Sequence, residues 1–510
     1  MGGFVAAALL WSGARLASDP VALAQVEVQP LGGTLEDAHA SGRDGRAIPL
    51  SLHDGRLTPR DKLAPGERVS VEVVIRRPGW LGWLIGSERR ERLSLRAPVA
   101  HLHSRWLTVP AGVPVRVAFD QPVTAVVYTV AGKVARRVDG TRRAISLGRR
   151  AVTGSAEISA AARAWERIGP PVSVSWFPAS RVPVLVSSPQ PGARITPITP
   201  LRLTFSQPVA DVLGSARPTL TPPTRGRWRQ VDSHTLLFVP AAPGLPFASE
   251  LQLSVRGAVA VRSRGTLRTI RRIRWTVPPG STQRLQQLLA EAGYLPLDWT
   301  SAGGAVPRTP QGEEVAAIAA PAGSFHWRYQ NIPPELRSLW SPGQTNQIIR
   351  GAVMMFEHDQ GLAADGLAGA KVWAALIADA IAGKRRNSGY SYVYVHRNVP
   401  QSLNLWHNGQ TMLTSAGNTG VPAAPTQLGT FPVFEHIPVG TMRGHNPDGS
   451  HYNDPGIRYI SYFNHGDAIH AFNRASFGTP QSLGCVELPL ATASSVWPYT
   501  PIGTLVTIEN

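Results

Sequence analysis

Cys485 is the only cysteine in 510 residues, and His470 closes an apolar step 15 residues before it. The chemistry open to such a pair is nucleophilic. A thiolate attacks an electrophilic carbon, and an imidazole within about 3 Å of sulfur takes the proton. In Ser482-Leu483-Gly484-Cys485-Val486-Glu487-Leu488 a glycine precedes the sulfur, so no side chain blocks a substrate carbonyl, and Ser482 and Gly484 shape the turn. His465, 20 residues before Cys485, is the rival base. It sits in a polar stretch between Asn464 and Asp467, whereas a strand ending at His470 would present its side chain to a cleft. The bland alternative, a buried inert thiol, would suit a cysteine inside an apolar run better than one between Gly and Val. One cysteine excludes a disulfide framework, Cys-rich zinc sites and iron–sulfur clusters. His396, His407, His436, His445 and His451 lack the His-x-x-x-His spacing of zinc ligands.

The elements that must carry this pair read as strands. Tyr390-Ser-Tyr-Val-Tyr-Val395 and Ser402-Leu-Asn-Leu-Trp406 alternate, and Asn408-Gly409 is a hairpin turn. Upstream, Lys384–Gly389 is a polar linker. Before it, apolar residues recur at helical spacing in Thr282–Tyr294, in Ile348–Gly361 and again from Leu362 to Leu376. A stretch from Leu297 to Gln344 separates the first helix from the second, and its Phe325, Trp327, Tyr329 and Trp340 suit packing more than sugar stacking. Earlier still the chain alternates in period two, as in Val69–Ile75. Val115-Arg-Val-Ala-Phe-Asp-Gln-Pro-Val123 recurs 86 residues later as Leu201-Arg-Leu-Thr-Phe-Ser-Gln-Pro-Val209, an offset of one β-sandwich. With 49 Gly and 45 Pro the chain is no helix bundle, and its length predicts three to five domains.

Charge is unevenly spread. The formal net charge is +18, yet residues 387–510 hold four arginines against six acids, so about +20 belongs to the first 386 residues. Such a basic region favours polyanionic surroundings. The apolar run Phe4–Trp11 is too short to span a bilayer but suits a secretory signal or the end of an anchor, which predicts export and places residues 1–25 outside the folded domains. No nucleic-acid motif accompanies the basic residues.

Residues 390–510 resemble the catalytic domain of L,D-transpeptidases, whose pattern is Ile-His-Gly, a loop, then Ser-His-Gly-Cys-Val/Ile-Arg/Asn-Leu. Thr419-Gly420, Pro425-Thr426 and Gly429-Thr430-Phe431 follow the same family's upstream run. Phe356, Gly361, Leu362, Asp365, Gly366 and Gly369 resemble a three-helix peptidoglycan-binding domain, with Glu357 where glutamine is usual. The repeat resembles tandem bacterial Ig-like domains. The chain therefore reads as multidomain and mainly β: a signal or anchor remnant (1–25), a β-rich region (26–96), Ig-like sandwiches (97–180 and 181–277), a peptidoglycan-binding domain with an insertion (278–386) and a β-rich L,D-transpeptidase domain (387–510).

On that resemblance Cys485 is the nucleophile, His470 its base, Ser482 and Gly484 belong to the catalytic turn, and the backbone N–H groups of Gly484 and Cys485 are candidate oxyanion donors. Thr426, Leu483 and Glu487 would meet the substrate. Leu483, Ala471 and Glu487 depart from the family's His, Gly and Arg/Asn. The resemblance implies a cysteine acyl-enzyme formed on peptidoglycan stem peptides, with electropositive surroundings for the thiolate and no cofactor or metal. It implies transfer to a neighbouring stem in the cell wall or periplasm. Hydrolysis as an L,D-carboxypeptidase and a non-catalytic wall scaffold are the alternatives. The partners implied are stem peptides, glycan and acidic wall polymers, with no nucleic acid and no membrane contact beyond the N-terminal anchor.

Overall fold

The computed structural model describes residues 14–30, 32–130, 133–263 and 266–510. Its first sheet pairs Ala14–Ser18 with Ala24–Val28 and continues through Arg56–Pro59 to Leu50–His53. A second sheet runs Ala47–Ile48, Thr34–Gly42, Arg68–Arg76, Glu88–Arg96. Both bury alternate residues in one core that includes Ala24, Val26, Leu57, Val71 and Ile75, as period-two patterning requires. The expected boundary after residue 25 is corrected here, because it falls inside the strand Ala24–Val28. Residues 1–13 of the expected signal or anchor lie outside the described residues.

The two copies of the repeat agree up to the phenylalanine. Phe119 bridges Leu102 and Phe205 pairs with Leu185, both antiparallel, and each ring is buried in its own core. Beyond it they diverge. Gln121-Pro122 stays inside the long strand Pro114–Val130, at an irregular register between Ala118 and Val123 against Lys133–Arg149. Pro208 instead precedes a short helix, Val209–Leu213. The sheets differ too: the first copy orders its strands Lys133–Arg149, Pro114–Val130, Gly154–Ala161, Val172–Phe177 and Trp106–Thr108, and the second forms a seven-stranded sheet.

Helices Thr282–Glu291 and Gln347–Asp359 stand where the helical spacing put them, while the third, Ala370–Ala382, starts only after the Gly366 and Gly369 turns and runs past Leu376. The Ser281 hydroxyl caps the first by accepting from Arg284 N–H at 3.1 Å. Between the first two lie helices Pro310–Ile318 and Pro334–Ser338 and the hairpin Leu297–Ser301/Gly323–Trp327. Phe325, Trp327, Tyr329 and Trp340 pack against the core formed by Leu288, Val353, Phe356 and Trp373. That core extends into Tyr390, Tyr392, Trp406 and Leu505, so the polar linker divides the chain covalently but not in packing.

The strands of the last segment are β1 (Ser391–His396), β2 (Ser402–His407), β3 (Gln410–Ala416), β4 (Gly429–Pro432), β5 (Glu435–His445), β6 (His451–Asn464), β7 (Asp467–Ala471), β8 (Val486–Leu488) and β9 (Leu505–Glu509). They form two sheets, β3-β2-β1-β9-β4 and β5-β6-β7-β8. The sheets bury Val393, Leu405, Val506 and Ile508 against Phe463, Ile469, Val486 and Leu488, and helix Leu490–Val496 closes the core with Ala493 and Val496.

Candidate active site

β7 and β8 lie parallel, with Ile469 opposite Val486, His470 opposite Glu487 and Ala471 opposite Leu488. Ile469, Ala471, Val486 and Leu488 enter the core between the sheets. Alternation therefore turns Ala468, His470, Cys485 and Glu487 to the other face, where Cys485 meets a smaller apolar cluster of Ala468, Met442, Ile457 and Ile460 flanked by Tyr452, Tyr462 and Phe472. The sequence-predicted base thus lies on β7 and the nucleophile in the turn just before the adjacent β8. The rival, His465, is exposed in the β6–β7 turn at φ +48°.

No hydrogen bond joins the two side chains at rest. His470 Nδ1 lies 3.0 Å from Ala471 O. A carbonyl can only accept, so Nδ1 carries the proton and the other ring nitrogen keeps its lone pair, the state a base needs. The Cys485 thiol points at Gly466 O, 3.7 Å away. Burial pushes that thiol up to about 12, and the Asp467 and Glu487 carboxylates add to the shift against an opposing hydrogen bond from the Ala468 backbone. Burial also holds His470 below the usual imidazole range; Glu487 pulls it upward and Arg474 pushes it down. Both groups are accordingly neutral near pH 7. The expected electropositive surroundings are corrected: the nearest charges to sulfur are carboxylates, and proton transfer to His470 must accompany attack.

Ser482 is buried and clamps the turn, donating from Oγ to Cys485 O at 2.6 Å and accepting Gly484 N–H at 3.3 Å. The Gly484 N–H is therefore committed, and of the two expected oxyanion donors Cys485 N–H is the one left. Gly484 has φ +120°, and a Cβ there would collide with Asp467 Oδ1, so only glycine fits. Leu483 is half-buried beside it.

Thr426 is fully buried, its Oγ1 accepts Gly420 N–H at 2.9 Å and its carbonyl accepts from Arg397 at 2.8 Å, so it shapes the 419–426 loop. That loop frames the cysteine turn, since Ser482 N–H reaches Thr419 O and Val421 N–H reaches Ser482 O. Buried Asn418 holds the other side, its Oδ1 accepting Gly478 N–H at 2.9 Å.

Glu487 faces inward, buried rather than set on the substrate path. Arg474 pairs with it at 2.8 Å and 2.7 Å, reaches Gln481 O at 3.1 Å and lies 4.6 Å over the Phe472 ring. Arg474, Asp467, Tyr452 and Tyr462 were missed from sequence. The signal for Arg474 was an acid where the family carries Arg or Asn, which called for a partner elsewhere.

Residues 390–508 match the YkuD L,D-transpeptidase catalytic domain, and this segment of the chain is such a domain. The chain is similar to the catalytic domain of the E. faecium L,D-transpeptidase, at 24% identity over 23% of this chain and 96% of that one, with a TM-score of 0.22. It is also similar to an L,D-transpeptidase from Mycobacterium smegmatis, at 12% identity over 65% of this chain and 100% of that one, with a TM-score of 0.22. No curated protein matches the chain.

Proposed function

We propose that this protein is a peptidoglycan L,D-transpeptidase acting through a Cys485 acyl-enzyme. The observation that carries the reading is the placement of His470 on β7 and of Cys485 immediately before β8, the strand paired with it, within a segment that matches the catalytic domain. As Sγ attacks the carbonyl carbon of the third stem residue, its proton passes to the free nitrogen of His470. Cys485 N–H faces the developing oxyanion. Collapse expels the terminal D-alanine, whose amine takes the proton from His470 and leaves a thioester. A side-chain amine of a neighbouring stem then attacks the thioester and gives up a proton to His470, which returns it to the departing sulfur. The product is an amide between two third residues, and neutral His470 is the required base in both halves.

In this reading the chain works outside the cytoplasm, at the cell wall. Residues 278–386 bind peptidoglycan, the repeats act as a stalk of Ig-like domains, and the basic first 386 residues face acidic wall polymers. The test is product analysis after incubation with a disaccharide-tetrapeptide. Cross-linked dimers with release of D-alanine support transpeptidation; tripeptide alone means hydrolysis; unchanged substrate refutes both.

A further inference from the structure

Where β7 and β8 end, the structure opens a cavity of about 640 Å³. Ile457 and Arg458 of β6 line one side, Phe472 and Asn473 run into it directly after the His470 strand, and Phe477 and Leu490 close it. Apolar walls with one guanidinium and one carboxamide suit a ligand that has an aliphatic part and a carboxylate. Arg458 is exposed, and its side chain makes no hydrogen bond or ion pair among the described residues, so its donors are free. Arg474, the other nearby cation, already spends Nε and Nη2 on Glu487 and Gln481.

Position ties this cavity to the reaction. Phe472 follows His470 by two residues and Leu490 follows Cys485 by five. The Phe472 ring in the cavity wall stands 5.9 Å from the His470 ring, centroid to centroid, and Leu490 on the far side opens the helix that follows β8. A peptide lying along the cleft, its scissile carbonyl at Cys485, carries a side-chain or branch carboxylate over that span. The charges beside sulfur, Asp467 and Glu487, would repel such a carboxylate near the reacting carbon, so an acidic donor needs its cation set apart from them. Arg458 is set apart.

We propose that this cavity is the subsite for a free carboxylate of the acyl-donor peptide, with Arg458 as its specificity-determining cation and Asn473 beside it. The proposal rests on Cys485 acting on stem peptides. The experiment compares acylation of Cys485, followed by intact-protein mass, with two donors: the disaccharide-tetrapeptide, and the same molecule with its branch carboxylates amidated. Wild type, Arg458→Gln and Arg458→Lys are each measured against donor concentration.

The expected result is half-saturation about tenfold lower for the free acid in wild type. The preference disappears in Arg458→Gln with the maximal rate little changed, and returns in part with Arg458→Lys. Equal iodoacetamide labelling of Cys485 in all three shows an intact site. No preference in wild type, or an undiminished preference in Arg458→Gln, overturns the subsite while leaving the enzyme reading in place. If wild type is acylated by neither donor, the enzyme reading fails and the subsite falls with it.

Discussion

Arg474 and Glu487 form a two-point ion pair, Nε–Oε2 2.8 Å and Nη2–Oε1 2.7 Å, and Glu487 stands directly across the strand pair from His470. The two charges act on the imidazole in opposite directions, while the guanidinium ties Phe472 at the start of the intervening loop to Gln481 at its end. The pair thus fixes both the loop and the balance of charge at the base.

Glu487→Gln removes the anion that raises His470 and leaves Arg474 uncompensated. His470 then stays neutral to lower pH, so the acidic limb of the acylation–pH profile moves down in pH while the plateau rate falls. Stability drops by about 2 kcal/mol, below the range for a wholly buried pair because Arg474 is partly exposed. Denaturant unfolding and the pH profile check the two effects. A variant with unchanged stability and profile would leave the pair without a role.

Cys485 alkylation should rise steeply with pH. With the thiol pushed up to about 12, the thiolate fraction at pH 7 is very small and grows about tenfold per unit through pH 10. The same shift lowers stability as pH rises above the unfolded thiol value of about 8.5, since the folded state then holds a proton that the unfolded state has lost. Iodoacetamide rates from pH 6 to 10 measure the first. A plateau near neutrality would show a preformed thiolate instead.

Gly484→Ala should abolish acylation. The new Cβ meets Asp467 Oδ1 at φ +120°, and the strained backbone costs about 1–3 kcal/mol besides the clash. Asp467→Ala added to it relieves only the clash, so the double variant recovers stability in part. Full recovery on thermal unfolding would show that backbone strain is absent.

Glu357 gives a pH test in the helical region. Burial raises its carboxyl to about 7 while it accepts Gly366 N–H at 2.8 Å. A folded value above the unfolded one stabilises fully below about pH 4.5, and that contribution is lost as pH rises toward 7. Glu357→Gln keeps an acceptor for Gly366 without the charge. It should flatten unfolding free energy between pH 4.5 and 7 and be the more stable form at pH 8, by about 1 kcal/mol or more. Parallel pH dependence in both proteins would rule out Glu357 as the source.

How far the site could be read from sequence follows the range of the interactions. The face His470 takes was legible because it ends a short apolar run whose alternation fixes it, and the turn before Cys485 because the Ser482 clamp closes within it. Asp467 and Arg474 were not, since one reaches Gly484 only through the parallel register of β7 and β8 and the other returns to Glu487 from a loop. Thr426 was singled out by its motif, and its hydroxyl finds its partner, Gly420, within the same loop. The repeat failed at Gln-Pro because identical dipeptides continue a strand where Lys133–Arg149 pairs with it and start a helix where no such partner extends.

The central claim is that Cys485 becomes covalently acylated by a stem peptide with His470 as its base. Intact-protein mass spectrometry after brief mixing with disaccharide-tetrapeptide tests it most directly. The account predicts a wild-type adduct equal to the donor less D-alanine, mapped to Cys485, absent in Cys485→Ala. It predicts formation slowed about 10²- to 10⁴-fold by His470→Ala and nearly unchanged in His465→Ala. Release of D-alanine by the Cys485→Ala variant, or a Cys485 adduct whose rate depends on His465 and not on His470, would contradict it.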